Sequence, residues 1–210
     1  MAQTSLHDET LDGDLSGDIS APTALSISAA GDFTVTGSVF NSDQDDTFAP
    51  DGEAGDLDLF ALTIGDGLQV DRVWLDAFSG AGQAFIGVQE GPVFTVNTAN
   101  NGIAFPPVAS GFALVDADEV GSNILRDLIA GALNVAPAFP LSNPIEAGTF
   151  SFAVQNTGVE VNGYALNFEV TEVPEPAGAA VLAGLGAVLA MHRRGAGPPS
   201  TRSDTHHDTA

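Results

Sequence analysis

The chain reads as all-β, an antiparallel β-sandwich with one short helix, and three observations predict it. Short runs alternate apolar and polar residues with a period of two, the mark of strands that bury one face. Clusters of Gly, Pro and Asp separate these runs and supply the turns. Only one stretch upstream of residue 173 spaces its apolar residues as a helix does. Many short strands joined by such turns are the pattern of two packed antiparallel layers, and strict alternation gives each strand one wet face.

Taken in order, residues 1–22 contain DETLDGDLSGD and little that packs, which predicts a flexible acidic segment ahead of a β domain over 23–172. Ala24 to Ser28 is a short alternating run. Asp32 to Phe40 sets Phe33, Val35 and Val39 against Thr34, Thr36 and Ser38, a half-buried strand. Asn41 to Asp56 is an acidic, turn-rich loop. Leu57 to Ile64 places Phe60, Leu62 and Ile64 on one face. Gly65-Asp66-Gly67 then predicts a turn, and Leu68 to Phe78 a second strand, making a hairpin. Strands are expected at Ala84 to Gln89 and at Val93 to Asn97, joined by Glu90-Gly91-Pro92, with a weaker one at Phe112 to Val115. Ile124, Leu125, Leu128, Ile129 and Leu133 recur at helical spacing behind Ser122 or Asn123 as cap, and the helix must end before Pro137. Two late strands close the domain: Thr149 to Gln155, with Phe150, Phe152 and Val154 inward, and Gly163 to Thr171, with Tyr164, Leu166, Phe168 and Val170 inward.

The string DGEAGDLDLFALTIGDGLQVDRVWLDAF, Asp51 to Phe78, resembles the opening of bacterial pre-peptidase C-terminal domains. Asp56, Asp58 and Phe60 stand where that family has its Asp-x-Asp-x-Phe, and GTFSFAVQNTG followed by YALNFEV is similar to its closing strands. The resemblance covers roughly residues 32–171 and matches poorly over 98–143. It implies a jelly-roll-like sandwich that is an accessory module of secreted proteins.

Beyond the β domain stands VPEPAGAAVLAGLGAVLAMHRR, Val173 to Arg194. Two prolines keep Val173-Pro174-Glu175-Pro176 extended, so no regular structure crosses the boundary. The 15 uncharged residues Ala177 to Met191 follow, about 22 Å as a helix and short of the ~30 Å hydrocarbon core. His192 and the pair Arg193-Arg194 close the run as a cytoplasmic flank does. A Pro-Glu-Pro signature, a hydrophobic helix and an arginine cluster in this order resemble the PEP-CTERM sorting signal of exosortase substrates. The resemblance implies that Val173, Pro174, Glu175 and Pro176 are recognised by a membrane-embedded exosortase-type enzyme. It makes Ala177 to Arg194 a transient anchor in the bacterial membrane. Residues 195–210, GAGPPSTRSDTHHDTA, read as a disordered polar tail. The opening nine residues have neither a basic nor an apolar region, so a signal peptide is expected upstream of this sequence.

Charge narrows the chemistry. Up to Pro176 the chain carries 26 acids against Arg72 and Arg126, a field that repels phosphate backbones and excludes nucleic acid as a partner. There is no cysteine for a disulfide or a thiolate metal site. His7 is the one histidine before the boundary, so a nucleophilic triad has no base, and no HExxH or phosphate-binding loop occurs. The acids themselves point to calcium, a hard cation that takes six to eight oxygen ligands from turns able to wrap it. The candidate ligands are Asp45, Asp51, Glu53, Asp56 and Asp58, with Asp56 and Asp58 foremost, and Asp12, Asp14 and Asp18 form a second cluster. Against that reading, Asp56 and Asp58 are equally the wet side of the strand beginning at Leu57. The sequence as a whole predicts a non-catalytic, calcium-stabilised module exported to the cell surface or exopolysaccharide matrix. The alternatives are a surface polysaccharide hydrolase with a carboxylate pair near Trp74, and an acidic cytoplasmic domain whose tail is a core helix.

Overall fold

Alternating sequence becomes strand over most of the chain. The structure, a computed structural model, describes residues 3–40, 56–94, 111–133, 141–157 and 161–174. The chain divides into two compact units, Met1–Val173 and Pro174–Ala210, and the description below concerns the first. Its strands are β1 (Thr4–Asp8), β2 (Thr23–Ile27), β3 (Gly31–Val39), β4 (Leu57–Ser79), β5 (Ala84–Glu90), β6 (Gly111–Val115), β7 (Ile145–Asn156) and β8 (Asn162–Glu172). Among the described residues two α-helices accompany them, the single turn α1 (Glu9–Asp12) and α2 (Leu125–Leu133), with a 3-10 turn at Ala117–Glu119. Asn123 lies two residues before α2, and its side-chain oxygen accepts from the Leu125 N–H at 3.1 Å, so of the two expected caps Asn123 is the one that bonds the first turn.

The strands join in the order β1-β3-β8-β4-β7-β5-β6, with β2 alongside β4. This hydrogen-bonded sheet folds over on itself at β4. Phe60, in the first half of β4, stacks on Phe152 of β7 at 5.0 Å between centroids. It also meets Phe168 of β8 edge-on at 6.3 Å, although β8 pairs with the second half of β4 and not with the first. Val35, Leu62, Val73, Leu75, Ile86, Val88 and Leu166 fill the space between the layers, and Ile124, Leu125 and Leu128 are buried in the same core. The fold is therefore all-β and sandwich-like.

Several expectations need correction. The sheet is not purely antiparallel: β1 runs parallel to β3 and β2 parallel to β4. Both short strands lie along edges and are reached through crossing segments, which parallel pairing requires. Gly65-Asp66-Gly67 does not reverse the chain. β7 stays beside β4 on either side of it, Ile64 opposite Gly148 and Gln69 opposite Glu146, so the extra residues bulge out of one continuous strand. Glycine in the positive-φ region, here Gly67 at +76°, serves a bulge as readily as a turn. The N-terminal segment is structured, not flexible: it contributes β1 and α1, and Leu15 is buried in the core. Strict one-face burial also fails, since Phe150 to Val154 and Tyr164 to Phe168 are buried without a break. Small side chains occupy the second face there, and Leu59, Phe94 and Ala153 form a separate apolar cluster with Ile19 packed against it. Of the strand expected at Val93 to Asn97, Val93 and Phe94 are not in a strand, and the rest lies outside the described residues.

Candidate metal centre

The periodicity that faces Phe60, Leu62 and Ile64 into the core carries Asp58 with them, so an acid falls in an apolar register. Asp58 has no exposed surface and stands opposite Val154 of β7. Its Oδ2 accepts a hydrogen bond from the Tyr164 hydroxyl at 2.7 Å across the core. Its Oδ1 is buried and has no partner. Gly37, opposite Tyr164 on β3, makes room for the pair: a Cβ there would lie 2.5 Å from Asp58 Oδ2 and 2.6 Å from the Tyr164 oxygen. Glycine is required by this close approach.

Asp56 precedes the strand, its N–H donating to the Phe40 carbonyl at 2.8 Å, and is half-buried. Asp14 arrives from a different part of the chain. After α1 the Gly13 N–H closes on the Glu9 carbonyl with φ at +88°, and Ser16 then bridges to Leu59, whose N–H donates to the Ser16 carbonyl at 2.9 Å. With Leu15 plugged into the core, exposed Asp14 is held beside the start of β4. One carboxylate oxygen from each of Asp14, Asp56 and Asp58 lies within 4.8 Å of the others.

Burial pushes the Asp58 carboxyl up to about 8, with Asp56, Asp14 and Glu9 adding like charge against the lowering effect of the Tyr164 hydrogen bond. Asp56 rises to about 6 through burial first and then the charges of Asp14 and Glu9. Tyr164, desolvated beside Asp58, is raised well above its ordinary value. Among the described residues no basic side chain forms an ion pair with these acids. Arg72 lies 4.9 Å over the Trp74 ring and donates to the Gly121 carbonyl, and His7 stands 4.0 Å from Asp12.

Of the candidate ligands, Asp56 and Asp58 are brought together, while Asp45, Asp51 and Glu53 lie outside the described residues. Asp14 joins them from the second acidic cluster, but Asp12 and Asp18 do not. Asp12 accepts from the Asp8 N–H, and Asp18 is turned to the Ser20 N–H and hydroxyl, which hold its carboxyl below the usual range. Asp58 is thus not on the wet side of its strand. Tyr164 faces inward as its strand pattern predicts, but that pattern carries no sign of its partnership with Asp58. Trp74 stands opposite Asn167, between the inward Leu166 and Phe168, and so faces away from the acidic group. Of the residues expected to form a sorting motif, Val173 is exposed with its N–H on the Gly67 carbonyl at 2.8 Å, and Pro174 follows. Glu175, Pro176 and the run to Arg193 and Arg194 lie outside the described residues. Among the described residues no helix is long and apolar enough to cross a membrane. No protein-family model matches the chain, and neither a curated protein nor a solved structure shows significant similarity to it.

Proposed function

We propose that the chain is a non-catalytic structural module of the bacterial cell surface or exopolysaccharide matrix, delivered there by its C-terminal signal and stabilised by calcium. The observation that carries this reading is where the β domain ends. β8 stops at Glu172, exposed Val173 makes a last backbone bond to Gly67, and Pro174 begins the next unit. A recognition motif that begins at exposed Val173, behind the last described strand, is accessible to a membrane-embedded processing enzyme of the exosortase type. The hydrophobic run and Arg193-Arg194 behind it act as a transient anchor. A structural role is supported by the position of Asp58, the most strongly raised carboxyl among the described residues, which sits on the core face of β4 bonded to Tyr164. The jelly-roll-like variant of the sandwich belongs to this proposal as well.

The test is the intact mass of the native protein together with the cell fraction that contains it. A surface or extracellular form ending near Pro176 is the expected result. A cytoplasmic chain that extends to Ala210 overturns the proposal.

A further inference from the structure

We infer that Asp14, Asp56 and Asp58 together hold one hard divalent cation of the calcium class, and that this cation fastens the N-terminal segment to the start of β4. The inference deepens the calcium part of the function proposed above and rests on it. Two independent observations carry it. The first is convergence: three carboxylates from two distant stretches of chain bring oxygens within 4.8 Å of one another, with Glu9 adding a fourth like charge nearby. Calcium at 2.3–2.6 Å from each ligand spans separations of up to about twice that distance, so one ion reaches all three. The second is Asp58 Oδ1, a fully buried acceptor without a partner, on a carboxylate whose other oxygen is fixed by Tyr164. A buried acceptor left unmade is costly, and a cation satisfies it while offsetting the mutual repulsion of the acids.

The donor set selects the metal. Carboxylate oxygens without histidine or cysteine suit calcium, magnesium or manganese and disfavour zinc. Mixed burial fits calcium, which completes six to eight ligands with water on the side where Asp14 is exposed. Tyr164 is a positioning residue here: its hydroxyl occupies Oδ2 and leaves Oδ1 for the ion. Since Asp14 follows α1 and precedes the Ser16 bridge, the ion ties residues 13–17 to β4 in addition to that bridge.

The experiment is calcium titration of the full chain by calorimetry, joined to limited proteolysis in calcium and in chelator. One equivalent of calcium binds the wild-type protein, raises its melting temperature by several degrees, and protects residues 13–22 from cleavage. D14N, a change at an exposed side chain, weakens binding at least about tenfold and removes the protection. D58N abolishes stoichiometric binding and still melts cooperatively in chelator, because its amide oxygen keeps an acceptor for the Tyr164 hydroxyl in a side chain of the same size. If D58N does not fold, D14N alone decides. Unchanged binding in D14N and D58N overturns this site and leaves calcium to other acids. An absence of binding to the wild-type chain overturns both the site and the calcium part of the proposed function. Lost binding in the variants of a protein that is cytoplasmic in its own cells supports the site and overturns the export reading.

Discussion

Asp58 and Tyr164 set the terms of the site from inside the core. Removing the Tyr164 hydroxyl leaves both oxygens of a buried carboxyl unmade, which costs about 1–3 kcal/mol. Tyr164→Phe is therefore expected to lower the unfolding free energy in chelator by that amount, read as a lower urea midpoint without a change of slope. The folded-state pKa of Asp58 lies near 8 and that of Asp56 near 6, both above their ordinary value of 3.8. Between about 4 and 8 the folded chain keeps protons that the unfolded chain has released, so stability falls as pH rises through that window. Melting in chelator should be highest near pH 4 to 5 and decline toward pH 8, and calcium should flatten the decline. A midpoint that rises over that range contradicts the electrostatics described here. The sequence contained part of this: Asp58 keeps step with Phe60, Leu62 and Ile64, and an acid in an apolar register signals a buried site. Weighing Asp56 and Asp58 only as a pair on one face misses it. Asp14 was legible as an acid and not as a neighbour, because only the Ser16 bridge brings it to β4.

At the scale of elements, β4 organises the fold because it contributes to both layers. Its first half pairs with β7 and β2, its second with β8 and, at Gln69 and Val70, with β7 again, and Phe60, Phe152 and Phe168 interlock across the gap. Phe168→Ala removes a fully buried ring from this cluster and should cost about 3–5 kcal/mol in chemical denaturation, one of the larger single losses the domain can show. Strand positions were readable from period-two alternation, since that pattern is local. Pairing was not. Nothing in Thr4–Asp8 or Thr23–Ile27 marks a parallel partner, and Gly65-Asp66-Gly67 has the composition of a turn while its neighbour β7 runs past it. On the second face Ser151, Ala153 and Ala165 are too small to need a dry environment of their own and buried Asn167 is held by the Thr34 hydroxyl, so alternation understated how deeply β7 and β8 are covered.

For the whole molecule, the unit Met1–Val173 contains the described core, and the Val173 N–H is its last backbone tie. A chain truncated after Val173 should keep the far-ultraviolet spectrum and the melting temperature of the full chain within about 2 °C, because the unit Met1–Val173 holds every strand among the described residues. A collapse on truncation would mean that the unit Pro174–Ala210 contributes to the fold. With 26 acids and two arginines up to Pro176, the same domain should gain stability from salt through screening of self-repulsion, apart from the stoichiometric effect of calcium.

The course of β8 gives the anchored form proposed above a mechanical character. Nine of its residues face β3 and ten face β4, and the chain leaves for the proposed sorting segment from its end. Tension applied through the C-terminus therefore pulls this strand lengthwise between two neighbours. Its hydrogen bonds share the load in shear and do not open one at a time like a zip. A surface protein tethered by such a strand yields late and all at once.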